Sequence, residues 1–193
     1  LNFYFVNVFV GGAAGLSSAI EALRMGANVT LLEKSARIGG NSAKASSGIS
    51  AAYTSIQKQH QVSDSVKNFL EDTTRTGLGF GDKQMVSTLV NESAGTIDFI
   101  LNELKLPVTE LLQLGGHSAR RTHRLATHAP IGFSLVKALE TRIADMIVNG
   151  QSGSYQLISS ATVTRLQLQS ESELNIDEKN SHTIPNSPTV EVT

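Results

Sequence analysis

The chain has 193 residues, 40% of them apolar and 17% charged, with a net charge of −1, a composition that suits a folded protein and excludes a disordered one. It has no cysteine, which rules out disulfides, thiolate zinc sites and iron–sulfur ligation and fits an intracellular location. With so balanced a charge, neither nucleic acid nor an anionic membrane surface is expected as the main partner.

Phe3 to Ile20 form an uncharged run of 18 residues, but Asn7, Gly11, Gly12, Gly15, Ser17 and Ser18 dilute it, so no membrane span is expected. Within it, FYFVNVF (3–9) predicts a strand buried on both faces. Leu16, Ile20 and Leu23 then recur at helical spacing, with Met25 close behind and Gly26 as a stop. NVTLLE (28–33) predicts a second strand. Strand, helix and strand in this order form a βαβ unit, which implies a parallel sheet and a right-handed crossover.

The turn between strand and helix lies in FVGGAAGLSSA (9–19), which approximates G-x-G-x-x-G with Val10 in place of the first glycine. Gly12 would let the backbone approach a pyrophosphate, and Gly15 would let the helix pack closely on the strand. The helix N-terminus adds N–H groups and a positive dipole end. Glu33 closes the second strand, where a carboxylate accepts hydrogen bonds from ribose hydroxyls. Val10 is expected to strain the turn by roughly 1–3 kcal/mol and to weaken binding, unless the turn shifts by one residue onto Gly11. A turn whose glycines serve packing alone remains the alternative.

EKSARIGGNSAKASSGIS (33–50) follows. Gly39, Gly40, Asn41 and Ser42 form a polar turn, and small residues up to Gly48 would let a flat ring lie against the backbone. Residues 64–105 are helical by pattern: Val66, Phe69 and Leu70 form one apolar face, and Val86, Leu89, Val90, Ile97, Leu101 and Leu104 another. Ser63 or Asp64 is expected to cap the first helix and Asp82 the second, with TGLGFGD as the loop between them. GGHSARRTHR brings together His117, Arg120, Arg121, His123 and Arg124, with His128 nearby. It reads either as a basic loop facing an anionic ligand or as a solvated loop, and it lacks the ligand pairing of a metal site. Phe133–Val148 predicts a helix with Val136, Leu139, Ile143 and Ile147 on one face, and 155–168 predicts extended segments. The tail, 169–193, is polar and expected to be disordered, although PTVEVT could begin a strand.

Three strings, GGNSAKASSGI after VTLLEK, LLQLGGHSARRTHR (111–124) and IGFSLVKALE (131–140), resemble the soluble fumarate reductase flavoproteins of the FAD-dependent oxidoreductase group. The resemblance runs from about Val8 to Leu166. It implies an α/β fold, a Rossmann-like FAD-binding domain with an incomplete parallel sheet and additional helices. Residues 1–168 would be the N-terminal part of that domain, and 169–193 a polar tail able to start a β-meander. It further implies that Gly11, Gly12, Ala13, Ala14 and Gly15 hold the FAD pyrophosphate, and that Glu33, with Lys34 beside it, holds the adenosine ribose. Gly40, Asn41, Ser42, Ser46 and Gly48 would cradle the flavin half, and Ser47 would sit on the substrate side of the ring. Residues 39–50 contain no histidine, so the FAD is expected to be noncovalent.

In that family a hydride passes from reduced FAD to fumarate and an arginine supplies the proton, giving succinate. The dicarboxylate is clamped by groups from a capping domain and later parts of the chain. No catalytic residue and no metal ligand is therefore assigned here, and the chain is expected to be an N-terminal fragment inactive on its own, cytoplasmic or mitochondrial. Its parallel sheet is expected to leave an edge open to aggregation. The alternatives are a degenerate, non-catalytic fragment, a sister flavoenzyme such as a 3-ketosteroid dehydrogenase or aspartate oxidase, and a nicotinamide-binding dehydrogenase. The string GGNSAKASSGI argues against the last of these.

Overall fold

A computed structural model describes residues 4–127, 129–150, 153–167 and 189–192. The chain divides into two compact units, one made of Leu1–Gly40 with Ile143–Thr193, the other of Asn41–Arg142.

In the first unit, strand β1 (Phe5–Val8) leads through the glycine turn into helix α1 (Ala13–Arg24) and then into strand β2 (Asn28–Glu33). Leu16, Ala19, Ile20 and Leu23 bury one stripe of α1 at the expected spacing. Gly26 ends the helix in a left-handed conformation at φ 81°. Its N–H donates to Leu23 O and the Ala27 N–H to Ala22 O, the paired bonds of a Schellman stop. The sheet order is β1-β2-β6, where β6 is Tyr155–Ser159 and both pairings are parallel. β2 is thus the central strand, and Val29, Leu31, Leu32 and Glu33 are buried.

β1 departs from the sequence-based expectation of burial on both faces. Val8 is buried, but Phe5 is 76% exposed and Asn7 is exposed on the same alternate side. Among the described residues β1 pairs with β2 alone, so it is an edge strand with one bare face. Strand β7 (Val163–Gln167) pairs antiparallel with β8 (Thr189–Val192), with a bulge between Val163 and Arg165. The segment PTVEVT therefore contributes a strand; residues 169–188 of the tail expected to be disordered lie outside the described residues.

The second unit holds a small antiparallel sheet of order β3-β5-β4, formed by Ile49–Ser50, Thr122–Arg124 and Glu110–Leu112. Its helices are α2 (Ser55–Gln59), α3 (Val66–Thr76) and α4 (Lys83–Asn102). Ala52, Phe69 and Val90 form a core, with Val66 and Val86 packed against it. Asp82 caps α4 as expected, accepting from Met85 N at 2.8 Å. The cap of α3 is Ser65, not Ser63 or Asp64, because the Asp64 carboxylate is engaged elsewhere. On α4 the buried apolar positions are Val90, Ile97, Ile100 and, just past its end, Leu104, while Leu89 is 54% exposed.

Helix α5 (Ile131–Val148) starts two residues earlier than the sequence pattern predicts. It buries Val136, Leu139, Ile143 and Met146 and leaves Ile147 at the surface. Among the described residues no helix is long and apolar enough to cross a membrane.

Candidate functional site

The glycine turn of the first unit is held from three directions. A Cβ on Gly15 would fall on the Val10 carbonyl oxygen, so only glycine lets α1 start this close to the end of β1. A Cβ on Gly11 would stand 2.7 Å from Ile38 Cγ2 and 2.9 Å from Glu33 Oε2. Gly39 N–H donates to Gly11 O at 2.8 Å, tying the start of the GGNS turn to the glycine turn. Val10 is not among the residues with positive φ, so its backbone carries no left-handed strain and the expected penalty there does not arise. A turn without the first glycine is accommodated because Val10 stays out of the left-handed region, and the residue is 55% exposed.

Gly12 is the N-cap of α1 and offers no side-chain cap, and Ala14 is exposed at the helix start. This 12-residue helix has glycine as its N-cap, so its positive dipole end meets the turn without a cap from the N-cap residue itself. Glu33 is buried at the end of β2. Its Oε2 accepts from Gly11 N at 2.9 Å and its Oε1 from Ser35 N at 2.8 Å. Burial pushes the Glu33 carboxyl up, but the N–H groups of Ser35 and Gly11, the Ser35 hydroxyl and the Lys34 charge outweigh it and hold it below its ordinary value. An ionised carboxylate has about four acceptor positions, so acceptor capacity remains after these bonds. Lys34 is exposed beside it, and Gly40 is exposed at φ 48° with open space around its Cα. The donors and the anchored carboxylate fit a diphosphate with an adjoining ribose.

The second half of the candidate set lies in the other unit. Asn41 precedes a 3-10 turn, Ser42–Lys44, and Ser46 and Ser47 are exposed. Gly48 has a firm packing reason of its own: at φ 144° its added Cβ would stand 2.6 Å from His123 O. Glycine is therefore required there by the approach of β5, whether or not a ring lies against it. Gly132, absent from the sequence-based candidates, donates its N–H to Ala45 O at 2.9 Å.

The basic string does not fold as a loop turned toward an anionic ligand. Arg121 is fully buried. Its Nε and Nη2 donate to the two oxygens of Asp64 at 3.0 and 2.9 Å. Nη1 lies 2.9 Å from Asp72 Oδ2, an ion-pair contact off the line of a good hydrogen bond. The guanidinium stands over the Phe69 ring, 4.8 Å from its centroid. The anions that Arg121 meets thus come from its own chain. Burial pushes the Asp72 carboxyl up, but the Ser118 N–H and hydroxyl, Arg75 and Arg121 together hold it far below the usual carboxylate range.

His123 is also buried. Its Nδ1 faces two carbonyl oxygens, Arg121 O at 2.9 Å and Ile49 O at 3.2 Å, neither of which can donate, so Nδ1 carries the proton. Nε2 then accepts from the Thr54 hydroxyl at 2.8 Å, while the Thr54 oxygen accepts from Gln57 N and caps α2. Burial holds the His123 pKa below its ordinary value against the opposing carbonyls, and the ring is neutral at pH 7. His117 is lowered as well, by burial and by the charge of Arg121. Arg120 is exposed and Arg124 half-buried, so these two remain available to solvent; His128 lies outside the described residues. Among the described residues no group of three or more His, Asp or Glu side chains is arranged to hold a metal ion.

The sequence candidates omit Asp64 and Asp72 as partners of the string, together with Thr54 and Gly132. Thr54 and Gln57 do carry a local sign, the capping-box spacing. The aspartate pairings have none, because Asp64 is 57 residues from Arg121 along the chain.

Residues 10–172 match the family described as FAD binding domain. The chain is 42% identical over 133 residues to fumarate reductase 1 of Saccharomyces cerevisiae, an alignment covering 68% of this chain and 28% of that protein. It is 34% identical over 189 residues to the fumarate reductase of Schizosaccharomyces pombe, covering 92% and 36% of the two. Among solved structures, the open conformation of a flavocytochrome c3 fumarate reductase superposes with a TM-score of 0.75 at 28% identity, over 86% of this chain and 28% of that one. The chain thus spans about a third of the length of these relatives.

Proposed function

Since the chain belongs to the FAD binding domain family and aligns with fumarate reductases, we propose that it seats FAD for a fumarate reductase-like flavoenzyme that reduces fumarate to succinate. The observation that carries this reading is the glycine turn itself, where the Gly15 approach, the glycine N-cap of α1 and the anchored Glu33 carboxylate adjoin one another.

In this reading Gly11, Gly12, Ala13, Ala14 and Gly15 bind the pyrophosphate through backbone N–H groups and the helix dipole. Glu33 accepts from the adenosine ribose, with Lys34 beside it. In the other unit, Asn41, Ser42, Ser46 and Gly48 take the flavin half, following Gly40, and Ser47 faces the substrate side. The FAD is held noncovalently. Bound, it supplies a two-electron hydride carrier; the substrate carbon receives that hydride and a separate proton. No residue of this chain is assigned to deliver the proton or to clamp a dicarboxylate, so the chain alone is proposed to bind cofactor without turning over fumarate. A cytoplasmic or mitochondrial location belongs to the same proposal.

Flavin content tests it. The purified chain, incubated with excess FAD and passed through a desalting column, is heat-denatured and the released nucleotide identified by chromatography. Near-stoichiometric FAD is expected. Absence of FAD after that incubation would sink the reading.

A further inference from the structure

We propose that Gly132 is a positioning residue for the flavin half of the cofactor, acting through the Ser42–Ala45 backbone. This rests on the assignment of Asn41–Gly48 to the flavin made above. Gly132 is the second residue of α5, and it packs against the backbone of the 3-10 turn. Its N–H donates to Ala45 O at 2.9 Å. A Cβ there would fall on Ser42 O and would stand 2.8 and 2.9 Å from Ala45 O and Ala45 N. All three atoms are backbone, so the clash cannot be relieved by turning a side chain. The turn is closed by its own bonds, Lys44 N to Asn41 O and Ala45 N to Ser42 O.

The far end of the segment is fixed separately. Gly48 packs on the backbone of β5, Ile49 pairs with His123, and His123 is anchored to Thr54. Between these two fixed ends lie Ser46 and Ser47, both exposed. A methyl at 132 pushes the first end outward while the second stays in place, which bends the exposed stretch that the flavin would contact. Contacts that position a bound group tolerate about 0.5 Å of displacement, so a shift of this kind is felt by the flavin half and not by the adenosine half.

The test compares FAD with ADP, which carries the pyrophosphate and adenosine but no flavin, on the full chain. In Gly132→Ala, ADP affinity is expected to stay within about twofold of the parent, while the advantage of FAD over ADP falls about tenfold or more. The control is Gly95→Ala in α4, where an added Cβ meets nothing within 4 Å; it is expected to leave both affinities unchanged. Equal losses of ADP and FAD in Gly132→Ala would reduce Gly132 to a general stability role and overturn the proposal, as would an unchanged FAD advantage.

A measurement on the unmodified chain covers the case of a variant that fails to fold. Amide hydrogen exchange at Gly132 is expected to slow on saturation with FAD and not on saturation with ADP, and the same protection with both nucleotides would overturn the proposal. A parent chain that binds neither nucleotide removes the cofactor reading itself, and the positioning role with it. A parent that binds both, with a variant indistinguishable from it, removes only the role of Gly132.

Discussion

The glycine turn and the GGHSARRTHR string are both conspicuous in the sequence, and they direct their polar groups in opposite ways. The turn has hardly any side chains: Gly11 and Gly15 bring backbone close to its neighbours, and Gly12, the N-cap of α1, has no side chain to cap the helix. The string is crowded with cationic side chains, yet Arg121 and His123 are engaged internally, by Asp64, Asp72, Phe69 and Thr54. A stretch with few functional groups is the one proposed to seat a ligand, and a stretch rich in them largely serves its own fold. Residue type alone does not tell these apart; what separates them is whether the chain supplies the counter-charge.

The sharpest way to break this comparison is Arg121→Met. Removing the guanidinium strands two buried carboxylates and is expected to destabilise the chain by about 3–5 kcal/mol. Urea unfolding measures this, and a loss under about 1 kcal/mol would mean that water reaches the aspartates. On the other side, Gly15→Ala drives a methyl into the Val10 carbonyl and is expected to cost about 1–3 kcal/mol, with FAD binding lost by fluorescence titration. Retention of FAD at parental affinity would show that the close approach does not serve the ligand.

Glu33→Gln is the subtler version. An amide presents one acceptor where the carboxylate presents two, so the N–H of Gly11 or Ser35 is left facing an N–H₂. An unsatisfied buried donor costs about 1–3 kcal/mol, and the lower part of that range is expected here because Ser35 is exposed. An unchanged unfolding midpoint would mean the turn does not depend on the charge.

Smaller effects are expected from pH. His117 and His123 have folded pKa values below their unfolded ones. As pH falls below the unfolded value near 6.5 the unfolded chain takes up protons first, so stability declines with acidification from that point. Glu33 and Asp72 are also depressed, so their contribution is present above the ordinary carboxylate range and is lost as pH falls through and below it. Urea midpoints from pH 8 to pH 3 should fall in these two stages, and His123→Gln should flatten the upper one. The least effect of all is expected from Val10→Gly, under about 1 kcal/mol, since restoring the consensus glycine relieves no strain and loosens the unfolded chain. A large gain in stability or in FAD affinity from that change would contradict the relaxed backbone at Val10.

The parts legible in the sequence are those decided within a few residues. The α1 stripe, the Gly26 stop, the Asp82 cap and the β2 run each depend on neighbours within one or two turns, and in each the pattern and the structure agree. The parts that are not legible depend on distant partners or on very short elements. Strands of two and three residues such as β3 and β5 have no room to show a period, and α2 has only five residues, three of them polar and long. FYFVNVF is apolar almost throughout and so predicts a doubly buried β1, but exposure of a face is set by what packs on it and not by the strand's own composition. Gly132 gives no sign of its role, because nothing in IGFSLVKALE distinguishes a glycine inside a helix from one pressed against another segment.

The first unit is interrupted in sequence, since β2 pairs with β6 in a register that joins Leu31 to Leu157 while the whole second unit lies between them. On a ribosome, β2 is therefore made long before its partner. At about 5–20 residues per second the delay between Leu31 and Leu157 is roughly 6–25 s, far longer than a small contiguous unit needs to fold. The second unit can thus be complete before the central strand of the first has both neighbours, and during that interval β2 presents an unpaired edge to the translation machinery and its chaperones.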